Sequence, residues 1–301
     1  MGQRQALDIR ASGIMFVLCM LWGLQQVVLK WAATDISALM QVALRSFFSM
    51  LMVYPLIRPA IRQQLWSKQY LPAGILVGFC FAAEFYLVAE ALRYTSAAHT
   101  IVLLYTAPIF VALALHFKFP TERLSRLQWC GIGLAFFGIL VSFLLRENTQ
   151  QASMQQALWG DFLALVAGML WAATTISIRL SRLAEAPATQ TLFYQLFMAG
   201  VFLIPLSFLS GQANIHWSAV SISSLIFHTV IVSFASYLIW FWMLKKYLAS
   251  RLGVFSFLTP VFGMLFGVLI LGEHIEMNFI VGTIMVMMGV LLVSVQGWFT
   301  K

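Results

Sequence analysis

Charge is the scarce ingredient of this 301-residue sequence: Asp, Glu, Lys and Arg together make up 9% of it, against about 25% in an ordinary soluble domain. A chain this poor in polar surface cannot cover a water-facing globule, which excludes a soluble fold. Cysteine is scarce too. Cys19, Cys80 and Cys130 are scattered, each inside an apolar run, so a disulfide framework or thiolate metal site is excluded. They read as small, buried packing residues. The chain carries no HExxH, no GxSxG and no cluster of His and Cys, the patterns that supply a metal-bound water or an activated nucleophile. It also lacks a TVGYG-like filter. Neither an enzyme nor a potassium channel is expected, and no cofactor or metal is called for.

What the sequence has is apolar length. Hydrophobic residues fill 61% of positions, in ten runs at about 12–32, 37–57, 70–92, 96–117, 127–145, 159–181, 189–209, 219–243, 249–271 and 276–298. Each is near the roughly 20 residues an α-helix needs to cross a bilayer. The runs do not alternate as membrane β-strands would. The expectation is an all-α membrane protein of ten spans with no soluble domain, its partner being the lipid bilayer. The first run follows Arg4 and Arg10 in the manner of a signal peptide but has no small-residue cleavage site, so a retained first helix is expected. The net charge of +8 does not point to nucleic acid, because it is distributed by side. With the N-terminus inside, one face holds Arg4, Arg10, Arg58, Arg62, Lys68, Lys118, Arg123, Arg126, Arg179, Arg182, Lys245, Lys246, Arg251 and Lys301, and the other only Lys30, Arg93 and Arg146. Such a bias places both termini in the cytoplasm.

The two halves of the chain match. Leu21-Trp22 and Lys30 fall on Leu170-Trp171 and Arg179; Thr106-Ala107-Pro108-Ile109-Phe110 meets Leu258-Thr259-Pro260-Val261-Phe262; Glu122, Gly131 and Gly138 meet Glu273, Gly282 and Gly289. Residues 1–147 and 148–301 are thus expected to be two five-helix repeats. Five is odd, so the second must lie upside down relative to the first. Inverted repeats belong to secondary transporters, which hold a solute at mid-membrane between them and rock from face to face.

The resemblance becomes specific in Ala91-Leu92-Arg93-Tyr94-Thr95-Ser96-Ala97-Ala98 running into Leu104-Tyr105-Thr106-Ala107-Pro108, and in Ser256-Phe257-Leu258-Thr259-Pro260-Val261 followed by Leu271-Gly272-Glu273, Gly282 and Gly289, with Trp22-Gly23 in the first span. Over nearly its whole length the chain resembles the drug/metabolite transporter superfamily, EamA type. That resemblance implies ten helices with spans 1, 3, 4, 6, 8 and 9 around a central cavity, 2 and 7 outside that ring, and 5 and 10 peripheral. It implies a bacterial inner-membrane transporter of small organic metabolites such as amino acids or aromatic amines, export favoured, acting as monomer or homodimer. An importer, or an organic-phosphate or nucleotide-sugar exchanger of the same superfamily, is the alternative; the exchanger would need cavity Lys or Arg for its anion, and Lys30 and Arg45, the nearby cations, are not deep on a cavity helix.

Ionisable groups deep in a bilayer are costly and therefore point to function. Glu84 in the third span and Arg45 in the second both lie about 12 Å from one face. Either they pair, or Glu84 faces the cavity unpaired, as a proton carrier or a site for a substrate amine. Glu90 is expected to neighbour Arg93, and Glu122 and Glu273 to act as capping groups. Gln25 in the first span is expected to bond a neighbouring helix or the solute. Trp22 and Trp171 occupy equivalent repeat positions, and Tyr86, Tyr105, Tyr237 and Phe257 lie on the implied cavity helices. Such rings suit flat or cationic solutes through stacking and cation–π attraction. His99 is a gating or interfacial histidine, and His228 a mid-span one. Pro108 and Pro260 match across the repeats and are expected to kink their helices as hinges.

Overall fold

The computed structural model describes residues 8–118, 123–144, 151–247, 252 and 255–295. Ten helical spans account for almost all of them. In the first half these are α1 (Ile9–Trp31), α2 (Ala38–Val53), α3 (Leu71–Tyr94), α4 in two segments (Ala97–Leu104 and Ala107–Lys118) and α5 (Arg126–Leu144). In the second they are α6 (Gln151–Arg179), α7 (Ala188–Leu209), α8 in three segments (Ala219–Ile226, Phe227–Ser236 and Tyr237–Lys246), α9 (Leu258–Leu271) and α10 (Met277–Val295). Seven spans are long and apolar enough to cross a membrane by themselves; α5, α9 and α10 contribute shorter apolar stretches.

Helix starts follow local chemistry. The Asp8 carboxylate accepts from the Ala11 N–H at 2.7 Å, Ser37 caps α2, Ser96 caps α4, and Ser218 with Ser221 forms a capping box on α8. Each satisfies backbone N–H groups that a helix otherwise leaves orphaned. Two boundaries differ from the hydropathy reading. α6 begins at Gln151, earlier than its apolar run, because the polar turn Gln151–Gln156 continues the helix without being hydrophobic. The ninth span is interrupted: Leu252, Phe255 and Ser256 are helical, a turn follows at Phe257, and the segment Leu258–Leu271 is labelled α9.

The prolines explain part of this. Pro108 is the second residue of the Ala107–Lys118 segment and Pro260 the third of α9. In a first turn the missing N–H had no intrahelical partner to lose. Neither proline bends a continuous helix: α4 breaks ahead of Pro108 at Tyr105–Thr106, where the Thr106 N–H and hydroxyl both turn back to the Leu103 carbonyl. The matching break ahead of α9 falls at Phe257.

Packing pairs each half with the other. α1 lies on α9 and its counterpart α6 lies on α4; α2 lies on α7; α5 lies on α10. The α5–α10 seam is made by glycine. A Cβ on Gly131 would stand 2.7 Å from the Gly289 carbonyl, and one on Gly138 2.6 Å from that of Gly282. The glycines at heptad spacing are therefore consumed inside the chain, bringing two backbones into contact as small residues do in membranes. The outward faces are apolar, with Phe48, Leu51, Phe79, Phe137 and Leu269 exposed, as lipid requires. Of the cysteines, Cys19 and Cys80 are buried, but Cys130 is on the outward face of α5; it is not the packing residue expected.

Candidate functional site

Arg45 decides the geometry at mid-membrane. It is buried to 1% exposure on α2, where an unpaired charge costs several kcal/mol, about the scale of a protein's whole stability margin. It does not pair with Glu84. Its Nη1 donates to Gln25 Oε1 on α1 at 2.9 Å, its guanidinium lies 4.4 Å from the centre of the Phe85 ring on α3, and its Nε is buried without a hydrogen-bond partner among the described residues. The second span thus reaches into the site, contrary to its expected place outside the ring.

The polar network continues into α8. His228 Nδ1 lies 2.8 Å from the Ser224 carbonyl and Nε2 3.1 Å from the Gln25 carbonyl. The Ser224 hydroxyl donates to Gln41 Oε1 at 2.5 Å, while Gln41 Nε2 donates to the carbonyls of Leu29 and Ile36. His228 is the second residue of the Phe227–Ser236 segment, which is a π-helix. Such local unwinding is a common feature of functional sites.

Glu84 sits beside this network. It is 5% exposed, and among the described residues no hydrogen bond or ion pair reaches its carboxylate. Arg45, Tyr105 and Tyr237 lie within electrostatic reach of it. The Trp171 ring stands edge-on to Tyr105 with centroids 5.1 Å apart. Trp22 Nε1 donates to the Ser236 hydroxyl at 3.0 Å, and its ring meets Trp240 edge-on. Gln25, Glu84, Tyr105, Trp171 and Tyr237 are thus linked from α1, α3, α4, α6 and α8, while Trp22 packs beside Trp240 with Met15, Met243 and Tyr247. Two of the predicted residues lie elsewhere. Tyr86 turns toward Glu90 and Arg93, and Phe257 is packed in an apolar cluster with Ala91, Leu103 and Val286.

A second polar assembly closes the end of the bundle that carries Lys30. Gly272 terminates α9 at φ 64°, a left-handed turn that favours glycine, and this aims Glu273 across the repeats. The Glu273 carboxylate accepts from the Ala97 N–H at 2.7 Å and the Ala98 N–H at 3.1 Å, and lies 3.3 Å from Lys30 Nζ. Lys30 also donates to the Thr95 carbonyl at 2.6 Å. The Thr95 hydroxyl donates to Asp161 at 2.5 Å; Asp161 is fully buried on α6, and His99 Nδ1 is 3.1 Å from it. The His99 ring stacks on Phe279 of α10 at 3.8 Å. Beside this, Ile36 and Ile215 form an antiparallel bridge, Asp35 accepts from Ser218, and Glu90 is held by Arg93 and Gln212. Asp161 was missed from sequence, although an acid inside an apolar stretch is a legible signal. Glu273 caps as expected, but on the other repeat. Glu122, Arg146 and Lys301 lie outside the described residues. No group of three metal-ligating side chains forms among the described residues.

A ten-helix bundle of two matched halves, with charge buried between them, defines a membrane transporter. A model of the EamA-like transporter family matches residues 10–144 and 158–295, and the chain belongs to that family. It is 24% identical to the uncharacterized transporter YoaV of Bacillus subtilis over 91% of this chain and 92% of that one. It is 28% identical to a protein of Escherichia coli named a probable amino-acid metabolite efflux pump, over 96% of both. A solved crystal structure superposes with a TM-score of 0.64 at 15% identity, covering 95% of this chain and 96% of that one, which shows the shared fold. The chain is a multi-pass membrane transporter, not an enzyme.

Proposed function

We propose that this protein exports small amine-bearing metabolites, amino acids or aromatic amines among them, across the bacterial inner membrane by alternating access. The observation that carries the reading is Glu84: a carboxylate at mid-membrane near Tyr105 and Tyr237, with Trp171 edge-on to Tyr105 and no protein donor among the described residues. Arg45 is occupied by Gln25 and Phe85, so the carboxylate is left for a cation from outside. An ammonium meets Glu84, and an aromatic side chain meets Trp171, Tyr105 and Trp22, through cation–π and edge-on contacts worth about 0.5–2 kcal/mol each.

Residues 1–147 and 148–301 are the two moving units, with both termini cytoplasmic on the strength of the charge bias. The Lys30 end is then the periplasmic gate, closed in this conformation, with His99 a part of it and the breaks ahead of Pro108 and Pro260 as its hinges. An organic-phosphate exchanger is disfavoured because Lys30 and Arg45, the cations nearest the site, are both engaged. Purified protein in liposomes, screened for counterflow of labelled phenylalanine, tests the reading. Wild-type protein exchanges it and Glu84→Gln loses it. Exchange by E84Q at the wild-type rate would refute the role of Glu84.

A further inference from the structure

Arg45 is held by part of its guanidinium only. Nη1 donates to Gln25 Oε1 at 2.9 Å, and the Gln25 carbonyl lies in turn 3.1 Å from His228 Nε2. The Phe85 ring covers one face, its centre 4.4 Å from the guanidinium carbon. These contacts take one N–H and one face. The other edge carries Nε–H and Nη2–H side by side, the fork that matches the two oxygens of a carboxylate. Nε is buried and without a partner, and no hydrogen bond among the described residues reaches Nη2.

Glu84 is the opposite charge with the same deficiency. It is buried, and among the described residues no donor reaches its carboxylate. It stands next in sequence to Phe85, the ring under Arg45, and both Arg45 and Tyr237 are within its electrostatic reach. Even so, no nitrogen of Arg45 comes within 4.0 Å of a Glu84 oxygen. Two neighbouring buried charges of opposite sign are thus kept apart, each with hydrogen-bonding capacity unspent. Buried charges in that state are costly, and one kind of ligand relieves both.

We infer that the Nε–Nη2 edge of Arg45 binds the carboxylate of the transported solute while Glu84 binds its ammonium, so that the carrier selects a zwitterion over an amine or an acid of the same shape. The inference rests on Glu84 as the amine site. An α-amino acid carries both groups on one carbon and so bridges neighbouring opposite charges that do not touch. Its side chain is left to Tyr105 and Trp171, whose rings meet at 5.1 Å beside Glu84. Gln25 is a positioning residue: by holding Nη1 it keeps Arg45 from closing on Glu84 and leaves the fork to the solute. An amine lacking the carboxylate satisfies Glu84 but leaves that fork buried and unpaired. An acid lacking the ammonium, a phosphate included, fills the fork but sets its charge against Glu84. Either loss removes hydrogen bonds to a charged group, about 10–150-fold in affinity.

The test is competition against counterflow of labelled phenylalanine in liposomes holding the full chain. Phenylalaninol keeps the ammonium and has an alcohol in place of the carboxylate; N-acetylphenylalanine keeps the carboxylate and has no ammonium. On wild-type protein each should need about 10–150-fold more than unlabelled phenylalanine for half-inhibition. In Arg45→Met the disadvantage of phenylalaninol should disappear. The readout is a ratio of competitors, which a slower variant still gives and a general loss of structure does not produce. Should R45M fail to fold, Arg45→Lys answers instead: it keeps the charge without the fork and should narrow the phenylalaninol ratio. Phenylalaninol as potent as phenylalanine on wild-type protein, or its full disadvantage surviving in either variant, would overturn the carboxylate site and leave Glu84 standing. N-acetylphenylalanine as potent as phenylalanine would remove the ammonium site, and the zwitterion with it.

Discussion

Glu273, the residue that follows the last turn of α9, caps a helix of the other repeat: its carboxylate accepts from the Ala97 N–H at 2.7 Å. The bond joins the two halves of the chain at one end of the bundle, and Lys30 closes the same carboxylate from α1. An N-terminal cap of this kind contributes about 0.5–2 kcal/mol, and the helix dipole strengthens it for an anion.

Replacing Glu273 by Ala should therefore favour opening at the Lys30 end by about 2–30-fold. A single cysteine at Thr100, fully buried in this conformation, reports it in a background lacking the native cysteines. Its labelling by an impermeant maleimide should rise by that factor in E273A; unchanged labelling would deny Glu273 a role in closure.

Arg45 and Gln25 form one unit, so their losses should not add. Gln25→Ala leaves a buried guanidinium short of an acceptor and Arg45→Met leaves an amide short of a donor, each costing about 1–3 kcal/mol. The double variant should recover about 1 kcal/mol or more of the summed loss. Unfolding of the four proteins in detergent measures the cycle, and strict additivity would show that the 2.9 Å contact carries no coupling.

At the α5–α10 seam, Gly138→Leu forces a side chain onto the Gly282 backbone and should cost about 3 kcal/mol or more. Gly133→Ala, with nothing within 4 Å of the added Cβ, should be silent. Equal melting temperatures for G138L and wild type would contradict the close approach.

Thiol reactivity separates the cysteines. A lipophilic maleimide should modify Cys130 on the outward face of α5 and spare the buried Cys19 and Cys80 in the folded protein. Mass spectrometry of the labelled peptides reads this directly, and equal labelling of all three would count against the burial described.

Much of this architecture was legible as pattern. Ten apolar runs, their halving, and the glycines at positions 131, 138, 282 and 289 are properties of composition and spacing, which the bilayer makes strict. Side-chain pairing was not. Arg45 and Glu84 share a depth, and depth suggested a salt bridge. The azimuth of α2 instead sends Arg45 to Gln25 and Phe85. Azimuth is set by the packing of several helices at once and leaves no mark on one helix's sequence. The same reason turned Tyr86 away from Glu84 toward Glu90 and Arg93. Asp161 differs: its position inside an apolar run was visible, and its partners His99 and Thr95 were out of reach only because they lie over 60 residues away.

Alternating access requires the Lys30 end to open, and the bridge between Ile36 and Ile215 offers a lock for it. Facing residues in an antiparallel bridge have Cα atoms about 4.5–5.5 Å apart, a span a disulfide fits. The measurement is phenylalanine exchange in liposomes by the double variant Ile36→Cys and Ile215→Cys, otherwise lacking cysteine, before and after oxidation. Exchange should stop when the disulfide forms and return on reduction. Undiminished exchange by the fully oxidised protein would contradict the account.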